Sequence, residues 1–347
     1  MLATKAYAIK NATGSFEPFE FNHRDPKPHD VVIDILYSGI CHSDIHQARN
    51  EWNNAIYPMV PGHEIVGRVT AVGDAATKHQ VGDLVGIGCM VDSCRECGMC
   101  ECHEEQFCPE RVYTYNDTER DGKTITYGGY ANQIVVDENF VLSVSDKLDI
   151  KGVAPLLCAG ITTYSPLKRH GAGPGKKVGI MGLGGLGHMA VKIAHAMGAE
   201  VTVFSHSPAK EAEAKRLGAD KFVISKDTDV METLAGTYDV MLDTVSANHD
   251  IQPHLDTLKV DGVYVLIGVP EKAVAFQAGP FINRRRIITS SLIGGIKETQ
   301  EMLDFCAEHN LVSDVEMVNI NQIDEAYERI LKADVRYRFV IDMSTLN

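Results

Sequence analysis

Residues 177–197 constrain this chain more than any other stretch. Lys177-Val178-Gly179-Ile180-Met181 is an apolar run of strand length. Gly182-Leu183-Gly184-Gly185-Leu186-Gly187 follows at once, and residues 187–197 read as a helix. The G-x-G-x-x-G string is weak alone, but between a strand and a helix it marks a dinucleotide-binding turn. The first glycine allows the tight turn, the second lets backbone approach a pyrophosphate, and the third lets helix and strand pack closely. The helix N-terminus then offers free N–H groups and partial positive charge to the phosphates. Glycines acting as simple breakers explain one of these positions but not the register.

The same pattern continues. Residues 200–204, 221–224, 238–242 and 262–267 read as strands, 208–217 as a helix, and 287–292 as a sixth strand. Strand–helix alternation at this spacing predicts an α/β, doubly wound parallel sheet across residues 151–293. The first 150 residues differ. Short strands at 31–37, 65–72, 81–87 and 131–136 are punctuated by glycines, with Pro26, Pro28, Pro58 and Pro61 in the loops. That pattern predicts a β-rich barrel or sandwich module. Beyond residue 294, a helix (299–308), a strand (315–320), a helix (323–331) and a strand (337–341) return to complete it. Two domains suit 347 residues at roughly 100–200 residues each.

The chain has 33 basic and 47 acidic side chains, a formal charge of −14. This excess disfavours general nucleic-acid binding, which needs basic surface to replace phosphate counterions. The one dense basic run, Arg284-Arg285-Arg286, reads as a solvated loop edge, with a phosphate contact as the alternative. No apolar stretch approaches the ~18–20 residues that span a membrane, and the N-terminal residues lack a signal-peptide core. The expectation is a cytoplasmic protein with a small-molecule substrate and neither membrane nor nucleic-acid partner. Nine cysteines then need a reason other than disulfides, and metal binding is the first to consider.

Cys94, Cys97, Cys100 and Cys108 form Cys-x2-Cys-x2-Cys-x7-Cys. Four thiolates close a tetrahedral shell around Zn2+, the structural kind of site. An iron–sulfur centre is the chemical alternative, and Cys102 is a fifth thiol that unsettles the register. A second set is dispersed: Gly39-Ile40-Cys41-His42-Ser43-Asp44-Ile45-His46, Pro61-Gly62-His63-Glu64 and Leu156-Leu157-Cys158-Ala159-Gly160. Two cysteines and a histidine form a known catalytic zinc shell with an open fourth position. Spacing alone does not select these three. Cys158 by itself reads as a buried core thiol, and His42 and His46 as solvated loop residues.

These segments, in this order and with the glycine turn, resemble a zinc-dependent medium-chain alcohol dehydrogenase. Cys-His-Ser-Asp-Ile-His, Tyr57-Pro58-Met59-Val60-Pro61-Gly62-His63-Glu64 and Cys158-Ala159-Gly160-Ile161-Thr162 are most similar to its cinnamyl alcohol dehydrogenase branch, which includes bacterial aldehyde reductases. The resemblance runs over essentially the whole chain. It implies a GroES-like β-rich catalytic domain (1–150, with a structural zinc lobe at 89–110, completed by 294–347) and a Rossmann domain (151–293). It implies two Zn2+ per chain: a catalytic ion on Cys41, His63 and Cys158, with Glu64 either an exchangeable ligand or a carboxylate just behind the ligands, and a structural ion on Cys94, Cys97, Cys100 and Cys108. Asp44 would orient His63. Ser43 and His46 would relay a proton through the nicotinamide ribose to solvent, although Ser43 also reads as a helix N-cap.

After the second nucleotide strand, an NAD-preferring site usually carries an acidic residue for the ribose hydroxyl. Here the chain has Ser205-His206-Ser207 with Lys210 beyond. Hydroxyls and an ammonium suit a 2′-phosphate, so the expected coenzyme is NADP(H), bound by these residues with Thr162 and residues 182–187. Trp52 matches a pocket-wall position of the branch, with Met90, Tyr113, Leu292 and Ile293 as further pocket candidates. The expected reaction interconverts primary alcohols with aliphatic or aromatic aldehydes. A polyol dehydrogenase is the nearest rival, which Ser205 opposes. A non-catalytic nucleotide-binding redox sensor is the rival outside enzymes. The apolar 287–293 segment at a sheet edge suggests pairing with its copy in a homodimer or homotetramer.

Overall fold

The strands of the second half are buried at nearly every consecutive residue, as in Lys177–Met181 and Tyr238–Asp243. A strand buried on both faces belongs in the interior of a parallel sheet. The structure, a computed structural model that describes residues 1–270 and 272–346, pairs six strands in one parallel sheet. Their order is Lys221–Ile224, Glu200–Ser205, Lys177–Met181, Tyr238–Asp243, Leu258–Leu266 and Ile287–Ser290. In chain order this is 3-2-1-4-5-6, with its switch point between Lys177–Met181 and Tyr238–Asp243. Met181, Phe204, Tyr238, Met241, Leu255, Leu258 and Tyr264 form a buried core cluster against it. The helix after the glycine turn starts at Gly185 rather than 187. The segment 208–217 is a 3-10 turn, Pro208–Lys210, running into the short helix Glu211–Arg216.

The other unit is built on Asp30–Ile40, which pairs antiparallel with Ile65–Val72, Gln133–Asp137 and Arg338–Asp342. Leu84–Ile87 and Leu142–Ser143 extend the sheet on one side and Val315–Asn319 on the other. The expected strand at 81–87 begins only at Leu84, because Gly82 turns the chain at φ 97°. A hairpin of Leu2–Ala8 with Glu17–His23 has no counterpart in the sequence reading. The chain divides into Met1–Cys158 together with the segment from Gly294, and Ala159–Ile293. The first break lies later than residue 150 because the turns Ile150–Gly152 and Ala154–Leu157 stay with the first unit. There, Leu157 packs over Gly86, whose Cβ would lie 3.1 Å from its methyl carbons.

The four-cysteine lobe is fastened to a helix of the same unit. Ile296 N, at the start of Ile296–Glu308, donates to Glu105 Oε2 at 3.0 Å. Gly295 admits no side chain, since a Cβ there would strike His103 O.

The arginine run is not a solvated edge throughout. Arg285 pairs with Asp261 at the surface, but Arg286 is 8 % exposed. Its Nη2 donates to Asp256 O and Leu258 O, both at 2.8 Å, and its Nε to Leu258 O at 3.1 Å. Its Nη1 also pairs with Asp256 Oδ1 at 3.2 Å, so the buried guanidinium ties the helix Gln252–Asp256 to the strand that follows. Arg286→Ala strands those acceptors and is expected to lower unfolding free energy by about 3 kcal/mol. Urea titration checks this; a change below about 0.5 kcal/mol, the scale of ordinary surface substitutions, would refute it.

Candidate active site

The strand Asp30–Ile40 runs directly into the helix His42–Ala48, whose N-cap is Cys41. Ser43 therefore lies inside the first turn and is not the cap. The turn is locked by Asp44, a carboxylate with 0 % exposure. Its Oδ2 accepts from Cys41 N at 2.8 Å, and its Oδ1 from Gly62 N at 3.2 Å and His63 Nδ1 at 3.1 Å. An imidazole that donates through Nδ1 leaves its Nε2 lone pair free for a metal. Burial alone would lower the basicity of His63, but Asp44 overrides it and holds the ring well above its ordinary pKa.

Cys158, at the end of the turn Ala154–Leu157, brings its Sγ to 3.9 Å from Cys41 Sγ. The hydrogen bond between them lowers the Cys41 thiol well below its usual value and raises Cys158 well above it. One donor atom each from Cys41, His63, Glu64 and Cys158 lies within 4.8 Å of the others. Glu64 Oε1 accepts from Arg338 Nη2 at 2.5 Å, and Arg338 also donates to Ile40 O at 2.9 Å. Glu64 Oε2 is buried and finds no hydrogen-bond partner among the described residues. Burial pushes this carboxyl up to about 7, with Arg338 opposing. An orphaned carboxylate oxygen beside two thiols and an oriented imidazole is what a divalent cation would satisfy, and the soft donors favour zinc. A side chain at position 39 would displace that carboxylate, since a Cβ on Gly39 falls on Glu64 Oε2.

The second cluster is also assembled. Cys108 Sγ lies 3.4 Å from Cys94 Sγ, and Cys97 Sγ 3.6 Å from Cys100 Sγ. Backbone N–H groups of Cys97 and Glu110 point at the Cys94 and Cys108 sulfurs at 3.3 and 3.4 Å, as thiolates require. The fit is to a closed four-sulfur site. Cys102 is exposed, caps the helix Gly98–Glu101 and stands outside the group. This resolves the register in favour of the other four.

In the parallel-sheet unit the glycines have the required geometry. Gly182 adopts φ 84°, a Cβ on Gly187 would strike Gly182 O, and Gly184 faces open space. Ser205 Oγ accepts from Ser207 N at 3.2 Å, curling the end of Glu200–Ser205. Lys210 Nζ donates to Leu183 O at 2.9 Å, which brings its ammonium to the glycine turn. His206 is exposed, and no carboxylate occupies residues 205–207. The residues present fit a phosphorylated dinucleotide.

Two family models match: the alcohol dehydrogenase GroES-like domain over residues 27–146 and the zinc-binding dehydrogenase domain over 185–308. The probable formaldehyde dehydrogenase AdhA of Bacillus subtilis (strain 168) is 54% identical over 99% of this chain and 98% of its own. The aldehyde reductase YahK of Escherichia coli (strain K12) is 52% identical over 99% of each. The crystal structure of a cinnamyl alcohol dehydrogenase from Helicobacter pylori, complexed with NADP(H), superposes with a TM-score of 0.93 at 43% identity, over 100% of this chain and 99% of that one. The chain belongs to the zinc-binding alcohol dehydrogenases. It is an oxidoreductase with a GroES-like unit and a Rossmann-like unit.

Three residues of this alcohol dehydrogenase escaped the sequence reading. Arg338 was signalled only by an arginine inside an apolar strand. Glu51, whose Oε2 pairs with His46 Nδ1, lies five positions past the histidine with no spacing rule to flag it. The third is Cys89, whose thiol donates to Leu157 O at 3.9 Å and stands outside the four-donor group. Trp52 is 45 % exposed and lies ring-on-ring with His46 at 5.2 Å. Met90 is buried, and Tyr113 Oη accepts from Arg111 Nε at 2.8 Å. Leu292 is exposed, Ile293 sits at φ 36°, and both follow the strand Ile287–Ser290, which stops short of them. Thr162 lies in the helix Ala159–Arg169. Asp44→Asn keeps the shape but removes the charge that orients His63. It is expected to weaken Zn2+ at Cys41, His63 and Cys158 by roughly 10–100-fold. Competition with a chelating dye reads this, with the four-cysteine ion as internal control; unchanged affinity would remove Asp44 from the role.

Proposed function

We propose that this chain is an NADP(H)-preferring, zinc-dependent aldehyde reductase and alcohol dehydrogenase of the cytoplasm. Its substrates are aliphatic or aromatic aldehydes and the matching primary alcohols. The observation that carries the reading is the convergence of Cys41, His63 and Cys158 beside the orphaned Glu64 oxygen. The NADP(H) complex of the Helicobacter pylori relative and the Ser205, Ser207 and Lys210 groups support the coenzyme choice. No helix among the described residues is long and apolar enough to cross a membrane.

When bound, Zn2+ supplies Lewis-acid polarisation of a carbonyl and the reduced nicotinamide supplies hydride. The protein handles the proton. In this reading Ser43 Oγ, 3.7 Å from Cys41 Sγ, donates to the product oxygen. His46 follows on the same helix. Its Nδ1 is held by Glu51, its ring rests on Trp52, and its side chain, 32 % exposed, opens to solvent. Asp44 keeps His63 Nε2 aimed at the site, and Arg338 balances the Glu64 charge. Cys94, Cys97, Cys100 and Cys108 would hold a second Zn2+ in a closed site that leaves no position for substrate.

A pair of substitutions separates coenzyme choice from chemistry. Ser205→Asp is expected to move the kcat/KM ratio toward NAD(H) by at least about tenfold through repulsion of the 2′-phosphate. Ser43→Ala should lower kcat by about 100-fold with full zinc content. Coenzyme oxidation with benzaldehyde measures both. A wild type that prefers NADH would overturn the coenzyme reading, and an unchanged Ser43→Ala rate the relay.

We also propose a two-fold dimer through the strand Ile287–Ser290, an edge of the parallel sheet. Ile287 on that edge is 48 % exposed, and an open strand edge invites pairing. A monomer mass in sedimentation equilibrium would exclude it.

A further inference from the structure

The loop after Tyr238–Asp243 borders the glycine turn. Thr244 Oγ1 donates to Met181 O at 2.6 Å, and a Cβ on Gly182 would come within 3.0 Å of Thr244 Oγ1 and of Val245 Cγ2. From behind, Gly268 packs directly on the Val245 backbone, where a Cβ would clash. Residues 244–250 contain no helix or strand. What closes this loop on itself is His249. Its Nε2 faces Asp243 Oδ2 at 3.0 Å and its Nδ1 faces Ala247 O at 2.8 Å. A carboxylate and a carbonyl only accept hydrogen bonds. Both contacts therefore exist together only when both ring nitrogens carry protons.

Asp243 is fixed independently. It is fully buried and also accepts from Tyr264 Oη at 2.9 Å and Val245 N at 3.0 Å. We propose that His249 is a positioning residue for the dinucleotide: its imidazolium, bridging Asp243 and Ala247, holds residues 244–247 in the form that borders the glycine turn. Loss of one ring proton releases this latch and weakens coenzyme binding. The proposal rests on the reading of residues 182–187 as the NADP(H) site.

The surrounding groups favour the closed form. The Asp243 hydrogen bond outweighs burial and raises the His249 pKa above 6.5, and the Asp250 charge adds to it. Burial pushes His254 down to about 4, so it stays neutral and adds no competing charge, and it pushes the Tyr264 hydroxyl up, so that proton stays in place. Lys272 borders the loop through its backbone N–H, which donates to Asn248 Oδ1 at 3.0 Å. Since the folded-state pKa is raised, the latch is shut at neutral and acid pH and opens as pH rises through that value.

His249→Gln tests this, because an amide can donate to Asp243 but carries no proton that titrates and no charge. NADPH binding to the zinc-loaded full chain is followed by nicotinamide fluorescence from about pH 6 to about pH 9, the span around histidine titration. The wild type should lose affinity about tenfold as pH rises, one charge-assisted hydrogen bond's worth. His249→Gln should start about tenfold weaker and show a flattened profile, with kcat at saturating coenzyme within about twofold. A melting curve without coenzyme reports whether the variant is folded. A flat wild-type profile overturns the latch without reference to any variant. So does a variant that binds with the wild-type affinity and slope, or one that loses kcat as much as affinity. Failure of the wild type to bind NADPH at any pH would instead remove the coenzyme reading itself, and the latch with it.

Discussion

One buried carboxylate organises the catalytic unit. Asp44 has no access to water and must satisfy its charge internally, which it does with N–H groups from Cys41, Gly62 and His63. Those donors come from two separate stretches of chain: the start of the helix His42–Ala48 and the Pro61-Gly62-His63-Glu64 turn. A buried charge with three donors is stable where it stands and expensive to move. Two sulfur and nitrogen donors are therefore placed relative to one another by the same group that sets the tautomer of one of them. The hydroxyls of Tyr115, Tyr130 and Tyr327 are held in the protonated form by burial first and by this carboxylate second.

A second ion pair does for Glu64 what backbone donors do for Asp44, but only halfway. Arg338 takes one carboxylate oxygen and leaves the other unpaired inside the protein. Protein interiors rarely tolerate such an atom, and functional sites are where the exceptions gather. Gly39 shows that the surrounding backbone has made room for this carboxylate in one position and no other.

Much of this was readable in the residues, and the limits have physical causes. The glycine turn carries its own geometry, so strand, turn and helix followed from local chemistry, and only the helix start moved, to Gly185. The four-cysteine spacing likewise defined its cluster once burial had set Cys102 apart. Cys158 was different: nothing in an apolar segment distinguishes a ligand from a core thiol, and the resemblance to a known family had to select it. Arg338, Glu51 and His249 act through partners supplied by folding rather than by sequence spacing. The Arg284-Arg285-Arg286 run shows the converse. Three identical side chains met different environments, and one became a buried staple because carbonyls from residues 256 and 258 converge on it.

The position of Arg338 has a consequence for how the protein is made. It lies 274 residues after Glu64. At about 5–20 residues per second, a ribosome takes roughly 14 to 55 s to bring the second after the first. Throughout that interval the acid has no cation to neutralise it, and the strand that will seal the sheet beside Asp30–Ile40 does not exist. The sulfurs and imidazole are thus synthesised before the strand that pairs with Asp30–Ile40 and carries the counter-charge of Glu64.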